Sequence, residues 1–102
     1  MSAAIIEKQD DTLTITPAGR LDTATTPLLD RELQPHLDGI SHIVMDFTNV
    51  PYVSSSGLRL LLWLEQTLEE RDGEVKVIHV SEVVLNIFEM VGFTNVVQVV
   101  TD

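Results

Sequence analysis

The chain has 102 residues, 44% of them hydrophobic, and its 16 Asp and Glu against 6 Lys and Arg give a net charge of −10. This length and composition suit a single compact domain over residues 1–102, and the negative charge argues against binding to nucleic acid or to anionic membrane surfaces. With no cysteine, the chain excludes disulfides, thiolate catalysis and cysteine-based metal sites.

The first 17 residues predict two short strands. Residues 5–7 and 12–16 are the candidates, and the second alternates apolar and polar side chains, as a half-buried strand does. Asp10 and Asp11 between them predict a hairpin turn. The start of the chain lacks the basic and apolar regions of a signal peptide, and no apolar run approaches the ~18 residues of a membrane span. We therefore expect a cytoplasmic protein without direct membrane insertion.

In the middle of the chain, the sequence pattern predicts a helix, a strand and a second helix. The first helix is expected to begin at Asp22 or Thr23, with Pro27 in its first turns, and to end near Gly39. Residues 43–47 are mostly apolar, which suggests a strand buried on both faces. A second helix follows three serines and ends near Arg71. Its apolar stripe consists of Leu58, Leu61, Leu64 and Leu68.

The last third continues the alternation of strands and helices. A strand is predicted at 74–80, a helix from Ser81 or Glu82 to Gly92, and a strand at 96–100, while Thr101 and Asp102 are expected to fray. Strands that alternate with helices after residue 40 imply parallel crossovers, whereas the opening pair is antiparallel. The predicted fold class is therefore α/β, with a mixed β-sheet, an antiparallel N-terminal pair and packed helices.

Three consecutive serines, Ser54, Ser55 and Ser56, stand where the third strand leads into the second helix. Ser54 or Ser55 could cap the helix, with its side-chain oxygen accepting a hydrogen bond from a backbone NH of the first turn. The same position suits a phosphate, because unpaired NH groups and the helix dipole favour negative charge there. Both interpretations, a capping serine and a modifiable or anion-binding serine, follow from the local sequence.

Residues that could carry catalysis or bind metal are few. His36, His42 and His79 have none of the spacings that place two metal ligands on one helical face, and the dispersed glycines form no phosphate-binding loop. Ser55 lacks the leading glycine of a hydrolase nucleophile elbow. No metal, cofactor or enzymatic activity is predicted, although a small hydrolase using Ser55 is retained as a minor alternative.

Two aspartates and one tryptophan have both structural and functional interpretations. Asp22 and Asp46 could form an acid/base or metal pair, but a helix cap at Asp22 and a loop hydrogen bond at Asp46 are the simpler roles. Trp63 projects away from the leucine stripe, on the side of Arg59, which is typical of an anchor for a binding partner. The alternative is that a neighbouring helix covers Trp63.

Three segments in this order resemble the STAS domain family, which includes bacterial anti-sigma factor antagonists and the tails of sulphate transporters. Residues 46–59 (DFTNVPYVSSSGLR) resemble the family signature, residues 19–22 (GRLD) its Gly-x-Leu-Asp, and residues 86–93 (NIFEMVGF) the end of its third helix. The resemblance spans nearly the whole chain. It implies a regulatory, non-enzymatic domain that takes part in transcription regulation through protein–protein interaction.

The resemblance also implies a phosphorylation site. In similar antagonists the signature reads Asp-Ser-Ser/Thr-Gly, and the hydroxyl residue after the Asp is phosphorylated by the anti-sigma factor, a GHKL-type serine kinase. Ser55 matches that residue, whereas Ser54 departs from the family by replacing the Asp. The implied mechanism is a phosphoprotein switch, in which the unmodified chain binds the anti-sigma factor, releases a sigma factor, and loses that binding when Ser55 is phosphorylated.

The residues implied in partner binding lie in the same segments. They are Asp22, Ser54, Ser56, Gly57, Arg59 and Trp63. An alternative within the family is a STAS subunit of a transport or signalling assembly, in which the serine segment binds a partner without being phosphorylated.

Overall fold

The structure is a computed structural model that describes residues 2–100. Thr101 and Asp102, for which fraying is predicted, lie outside these residues, as does Met1. The elements are β1 (Ala4–Gln9), β2 (Thr12–Pro17), α1 (Thr26–Leu33), β3 (His42–Asp46), α2 (Ser55–Glu69), β4 (Glu74–Ile78), α3 (Glu82–Met90) and β5 (Gln98–Val99). Short 3-10 turns at Gln34–His36 and Phe93–Asn95 follow α1 and α3.

The five strands form one sheet in the order β1-β2-β3-β4-β5. β1 pairs antiparallel with β2 across the two-residue turn at Asp10 and Asp11, and the remaining neighbours pair in parallel. Asp10 has a φ of 57°, a left-handed conformation that Asp tolerates in tight turns. The predicted α/β class with an antiparallel N-terminal pair is confirmed.

One face of the sheet carries the core. Buried strand side chains recur at every second residue, as a strand with one covered face requires, and join leucines of α1 and α2 and Phe88 of α3 in a single cluster. In β3, Ile43 and Met45 are buried, but Val44 is only half-buried. The prediction that this strand is buried on both faces is therefore wrong, because the helical residues of the core pack on one face only.

The predicted start of the first helix is also wrong. Residues 22–25 form turns, and α1 begins at Thr26 with Pro27 in its first turn. The side chain of Asp22 accepts hydrogen bonds from the NH groups of Ala24 (3.0 Å) and Thr25 (2.9 Å), which closes a turn before the helix. The final strand is shorter than predicted, because the NH groups of Val96 and Val97 donate to the carbonyl of Phe93, at the 3-10 turn that follows α3, and not to β4.

The first helix also ends before the predicted limit near Gly39. α1 stops at Leu33, because Pro35 has no NH to continue its hydrogen bonds, and Gln34–His36 form a 3-10 turn. The other two helices follow the sequence pattern. In α2, Leu61, Leu64 and Leu68 are fully buried, Leu60 is nearly so, and Leu58 packs partly buried against the core. Gly73, after α2, has no room for a side chain, because a Cβ there would overlap the backbone carbonyl of Ser41. Within residues 2–100, no helix is both long and apolar enough to cross a membrane.

Candidate functional site

The three serines lie at the N-terminus of α2, beside the loop that leads into α1. The two loops are joined like strands: Leu21 NH donates to Tyr52 O (3.0 Å), Ser54 NH donates to Leu21 O (2.8 Å), and Leu21 and Val53 form a parallel bridge. The GRLD and serine segments, 32 residues apart at Asp22 and Ser54, therefore form one surface. We call residues 52–57, which join the end of the loop after β3 to the first turn of α2, the serine loop.

Gly57 allows this close approach. A Cβ on Gly57 would lie 2.8 Å from Val53 Cγ1 and 2.9 Å from Leu21 Cβ, closer than side-chain packing permits. Gly57 is itself buried, so it positions the first turn of α2 against the bridged loops. Gly57 therefore acts through packing, since a buried glycine presents no surface to a partner.

The expected capping bond at the start of α2 is absent. Ser54 occupies the N-cap position in an extended conformation, but its Oγ accepts no hydrogen bond and is buried without a partner in the described part of the chain. No residue among 2–100 accepts a bond from the NH groups of residues 55–57 either. The prediction that Ser54 or Ser55 caps α2 through its side chain is wrong.

The three serines differ in exposure. Ser55, the first residue of α2, is exposed, whereas Ser54 and Ser56 are half-buried. Ser56 faces a groove between the two helices, and Ser54 turns its hydroxyl into the protein. Ser55 is thus the serine whose side chain is most open to another protein.

Asp22 stabilises the loop that faces the serines. Its pKa lies below the ordinary value of 3.8, chiefly because its carboxylate accepts a hydrogen bond from the Thr25 NH. A hydrogen bond from the Ala24 NH and the nearby positive charge of Arg20 lower the pKa further. The Asp22 Oδ2 to Arg20 Nη1 distance is 3.9 Å. Asp22 is therefore ionised at neutral pH, and most of its hydrogen-bonding capacity is used within its own turn.

A groove of about 510 Å³ separates α1 from α2. It is lined by Thr26, Pro27, Asp30 and Gln34 of α1 and by Ser56, Arg59, Leu60 and Trp63 of α2. Trp63 is 44% exposed, so α1 covers only part of its side chain. The groove depends on the packing of two separate helices, so the sequence pattern predicts only the outward direction of Trp63 and its proximity to Arg59.

Asp46 takes the loop-bonding role expected of it. Its Oδ1 accepts the Thr48 NH at 3.0 Å and also lies 2.8 Å from Nδ1 of His79, a contact that was not predicted. Asp46 and Asp22 have separate partners, so they do not form the acid/base pair that was considered. Across residues 2–100, no group of three or more His, Asp and Glu side chains converges in a way that could hold a metal ion.

Comparison with known proteins agrees with this geometry. Residues 3–102 match the STAS domain family model. The anti-sigma-B factor antagonist of Staphylococcus aureus strain NCTC 8325 is 32% identical over 92 residues, which cover 89% of this chain and 85% of that protein.

Two solved structures have the same fold. The anti-sigma factor antagonist SpoIIAA in its unphosphorylated form has a TM-score of 0.82 at 21% identity, covering 98% of this chain and 90% of that one. The Bacillus cell fate determinant SpoIIAA in its phosphorylated form has a TM-score of 0.73 at 20% identity, covering 98% and 93%. At these identities the similarity concerns the fold alone.

Proposed function

This chain belongs to the STAS domain family, and we propose that it is an anti-sigma factor antagonist. In this role it binds an anti-sigma factor, a GHKL-type serine kinase, so that a sigma factor is released. It binds its target and catalyses no reaction of its own. The observation that carries the proposal is the exposed Ser55 at the start of α2, in a chain whose curated relative is an antagonist of the same kind.

We propose Ser55 as the phosphorylated residue. A kinase must bring the γ-phosphorus of ATP to the serine oxygen. The new O–P bond then forms as ADP leaves, and the hydroxyl proton passes to a base of the kinase. Ser55 is exposed, whereas the hydroxyl of Ser54 is buried and Ser56 is half-buried beside the groove. Exposure therefore favours Ser55 even though Ser54 replaces the aspartate of the family signature.

The docking surface in this proposal combines the serine loop with the exposed face of α2. Arg59 and Trp63 are exposed on that face, and both residue types are enriched among interface hot spots. Asp22 and Ser54 support the surface from the adjoining loops, Ser56 contributes at the groove, and Gly57 holds the first turn of α2 in place.

Phosphorylation would oppose this docking electrostatically. A phosphate on Ser55 adds a charge of about −1.5 to −2 at a position where the partner otherwise meets a neutral hydroxyl. Removing water from this charge on binding is also costly. Asp22, ionised at neutral pH, lies in the loop bridged to the serine loop and adds charge of the same sign. A loss of about 1.4 kcal/mol weakens binding tenfold.

The proposal is tested by identifying the serine that accepts phosphate. Wild type, Ser54→Ala, Ser55→Ala and Ser56→Ala are each incubated with ATP and the serine kinase recovered from the native cell, and intact mass is measured. We expect a single phosphate on every chain except Ser55→Ala. Phosphate on Ser55→Ala would contradict the assignment of the site, and no phosphate on any chain would favour an unmodified STAS subunit of a transport or signalling assembly.

A further inference from the structure

Ser55, Arg59 and Trp63 form a row along α2. They are spaced four residues apart, so successive members are neighbours on the helix surface, about 5–6 Å apart at their Cβ atoms. All three are exposed. A group added to the Ser55 oxygen therefore lies on the same helix face as Arg59, one turn before it, and Arg59 lies one turn before Trp63.

Arg59 is available for such a contact. It makes no hydrogen bond or ion pair with any other residue of the 2–100 segment, whereas Arg71 donates to the carbonyls of Leu37 and Ile40 at 2.8 Å and Arg20 lies 3.9 Å from Asp22. Arg59 is also the one cationic residue among those that line the groove. The other charged lining residue, Asp30, already accepts a hydrogen bond from Gln34 at 2.7 Å.

We propose that Arg59 is the internal binding residue for a phosphate on Ser55. An acidic group four residues before a basic one is the favourable order on a helix, and guanidinium binds phosphate through charge-assisted, often bidentate hydrogen bonds. Pairing costs Arg59 no existing hydrogen bond or ion pair. The inference rests on the proposed function for the identity of Ser55 as the modified residue, but the pairing itself is a property of this chain alone.

This pairing gives phosphorylation a second effect on the docking surface. Besides adding negative charge, the phosphate draws the groove's one guanidinium toward the start of α2. A partner whose acidic group uses Arg59 beside Trp63 would then lose that contact as well. The modified and unmodified surfaces therefore differ at the groove, a full turn or more from the modified oxygen.

The test places phosphoserine at position 55 of the full chain during translation, by suppression of an amber codon, so that no kinase is needed. The second pKa of the phosphate, ordinarily about 6, is measured by ³¹P NMR titration in the wild-type background, Arg59→Gln and Arg20→Gln. Arg59 and Arg20 are both exposed, so both substitutions are compatible with folding. Arg20→Gln is the matched control, because it removes the cation of the adjoining loop.

We expect the phosphate pKa to be about 0.3 higher in Arg59→Gln than in the wild-type background, because loss of the guanidinium disfavours the dianion. Arg59→Lys should restore most of the difference, and Arg20→Gln should leave the pKa unchanged. An unchanged pKa in Arg59→Gln, or a rise produced by Arg20→Gln alone, would overturn the pairing. Because the phosphate is installed without a kinase, this result is separate from whether a kinase modifies Ser55.

Discussion

The starts of α2 and α3 use the same residue in the same place with different outcomes. Ser54 and Ser81 are both N-cap residues in extended conformations, with φ and ψ of −87° and 177° for Ser54 and −71° and 162° for Ser81. Ser81 Oγ accepts the Val84 NH at 3.2 Å, and Glu82 adds an acidic side chain in the first turn. Ser54 Oγ has no partner in the described structure, and the first turn of α2 has no acidic residue.

The difference shows what holds each helix start in place. α3 begins with its own side-chain cap, whereas α2 is positioned by the bridge between Leu21 and Val53 and by the contact of Gly57 with both. The NH groups at the start of α2 therefore remain free of side-chain partners. A helix start of this kind is suited to meeting a partner or a phosphate, and that is where the exposed Ser55 lies.

Gly57→Ala is expected to have the largest effect on stability. The new methyl group would press on Val53 and Leu21 in the bridged loops, and overpacking of this kind costs about 1–3 kcal/mol. The better helix propensity of Ala offsets little of this, because that gain belongs to helix interiors and Gly57 lies in the first turn of α2. Urea unfolding followed by circular dichroism measures the loss. Gly19→Ala, with nothing within 4 Å of its Cβ, is the control and should be nearly neutral. Equal stability of the two variants would show that Gly57 does not hold the start of α2.

Ser81→Ala should lower the free energy of unfolding by about 1 kcal/mol, because the Val84 NH loses its acceptor. The same urea titration detects it as a lower midpoint at unchanged slope. Ser81→Thr is the control, since a threonine hydroxyl can still accept the NH bond. An unchanged free energy of unfolding in Ser81→Ala would show that the Ser81 hydroxyl does not stabilise the start of α3.

Asp22→Asn tests the loop that faces the serine loop. Asn retains the acceptor for the Ala24 and Thr25 NH groups but removes the charge, so a small loss of stability is expected at neutral pH. The pKa of Asp22 is lowered by folding, so the stability it contributes is present above 3.8 and is lost as the pH falls through the lower folded-state pKa. Unfolding midpoints of wild type and Asp22→Asn should therefore converge in acid. A difference between the two midpoints that stays constant with pH would show that the charge of Asp22 does not cause it.

Ser54→Ala should have the smallest effect. Its hydroxyl is buried without a partner, so removing it takes away no described hydrogen bond and leaves stability unchanged or slightly higher. A calorimetric melting scan beside Ser81→Ala makes the comparison direct. If Ser54→Ala lowers the melting temperature as much as Ser81→Ala does, the hydroxyl of Ser54 has a stabilising partner after all.

Much of the fold could be predicted because the sequence patterns that specify its strands and helices are local. Alternation of apolar and polar residues predicted β2, and the serine at position 81 with the glycine at position 92 predicted the limits of α3. The start of α1 was missed because an aspartate that closes a preceding turn resembles one that caps a helix. The length of β5 was missed because valines continue past the 3-10 turn that shortens the strand.

The site was less predictable because its geometry is not local. The serine position and the family pattern were readable, but whether Ser54 accepts a capping bond depends on how the serine loop packs against Leu21, 33 residues earlier. The groove that includes Trp63 requires α1 and α2 to lie side by side, and the pairing of Asp46 with His79 joins the ends of two strands. Such contacts depend on which elements the topology places side by side, so no local sequence pattern predicts them.

The most direct test of the central claim compares partner capture by wild type, Ser55→Ala and Ser55→Asp. Each purified chain is used as bait in extract from the native cell, and bound proteins are identified by mass spectrometry. We predict that wild type and Ser55→Ala capture a GHKL-type serine kinase and that Ser55→Asp captures at least tenfold less, which corresponds to a loss of about 1.4 kcal/mol or more of binding free energy. Equal capture of that kinase by all three chains would contradict a switch at Ser55, and capture of transport subunits instead would contradict the antagonist role.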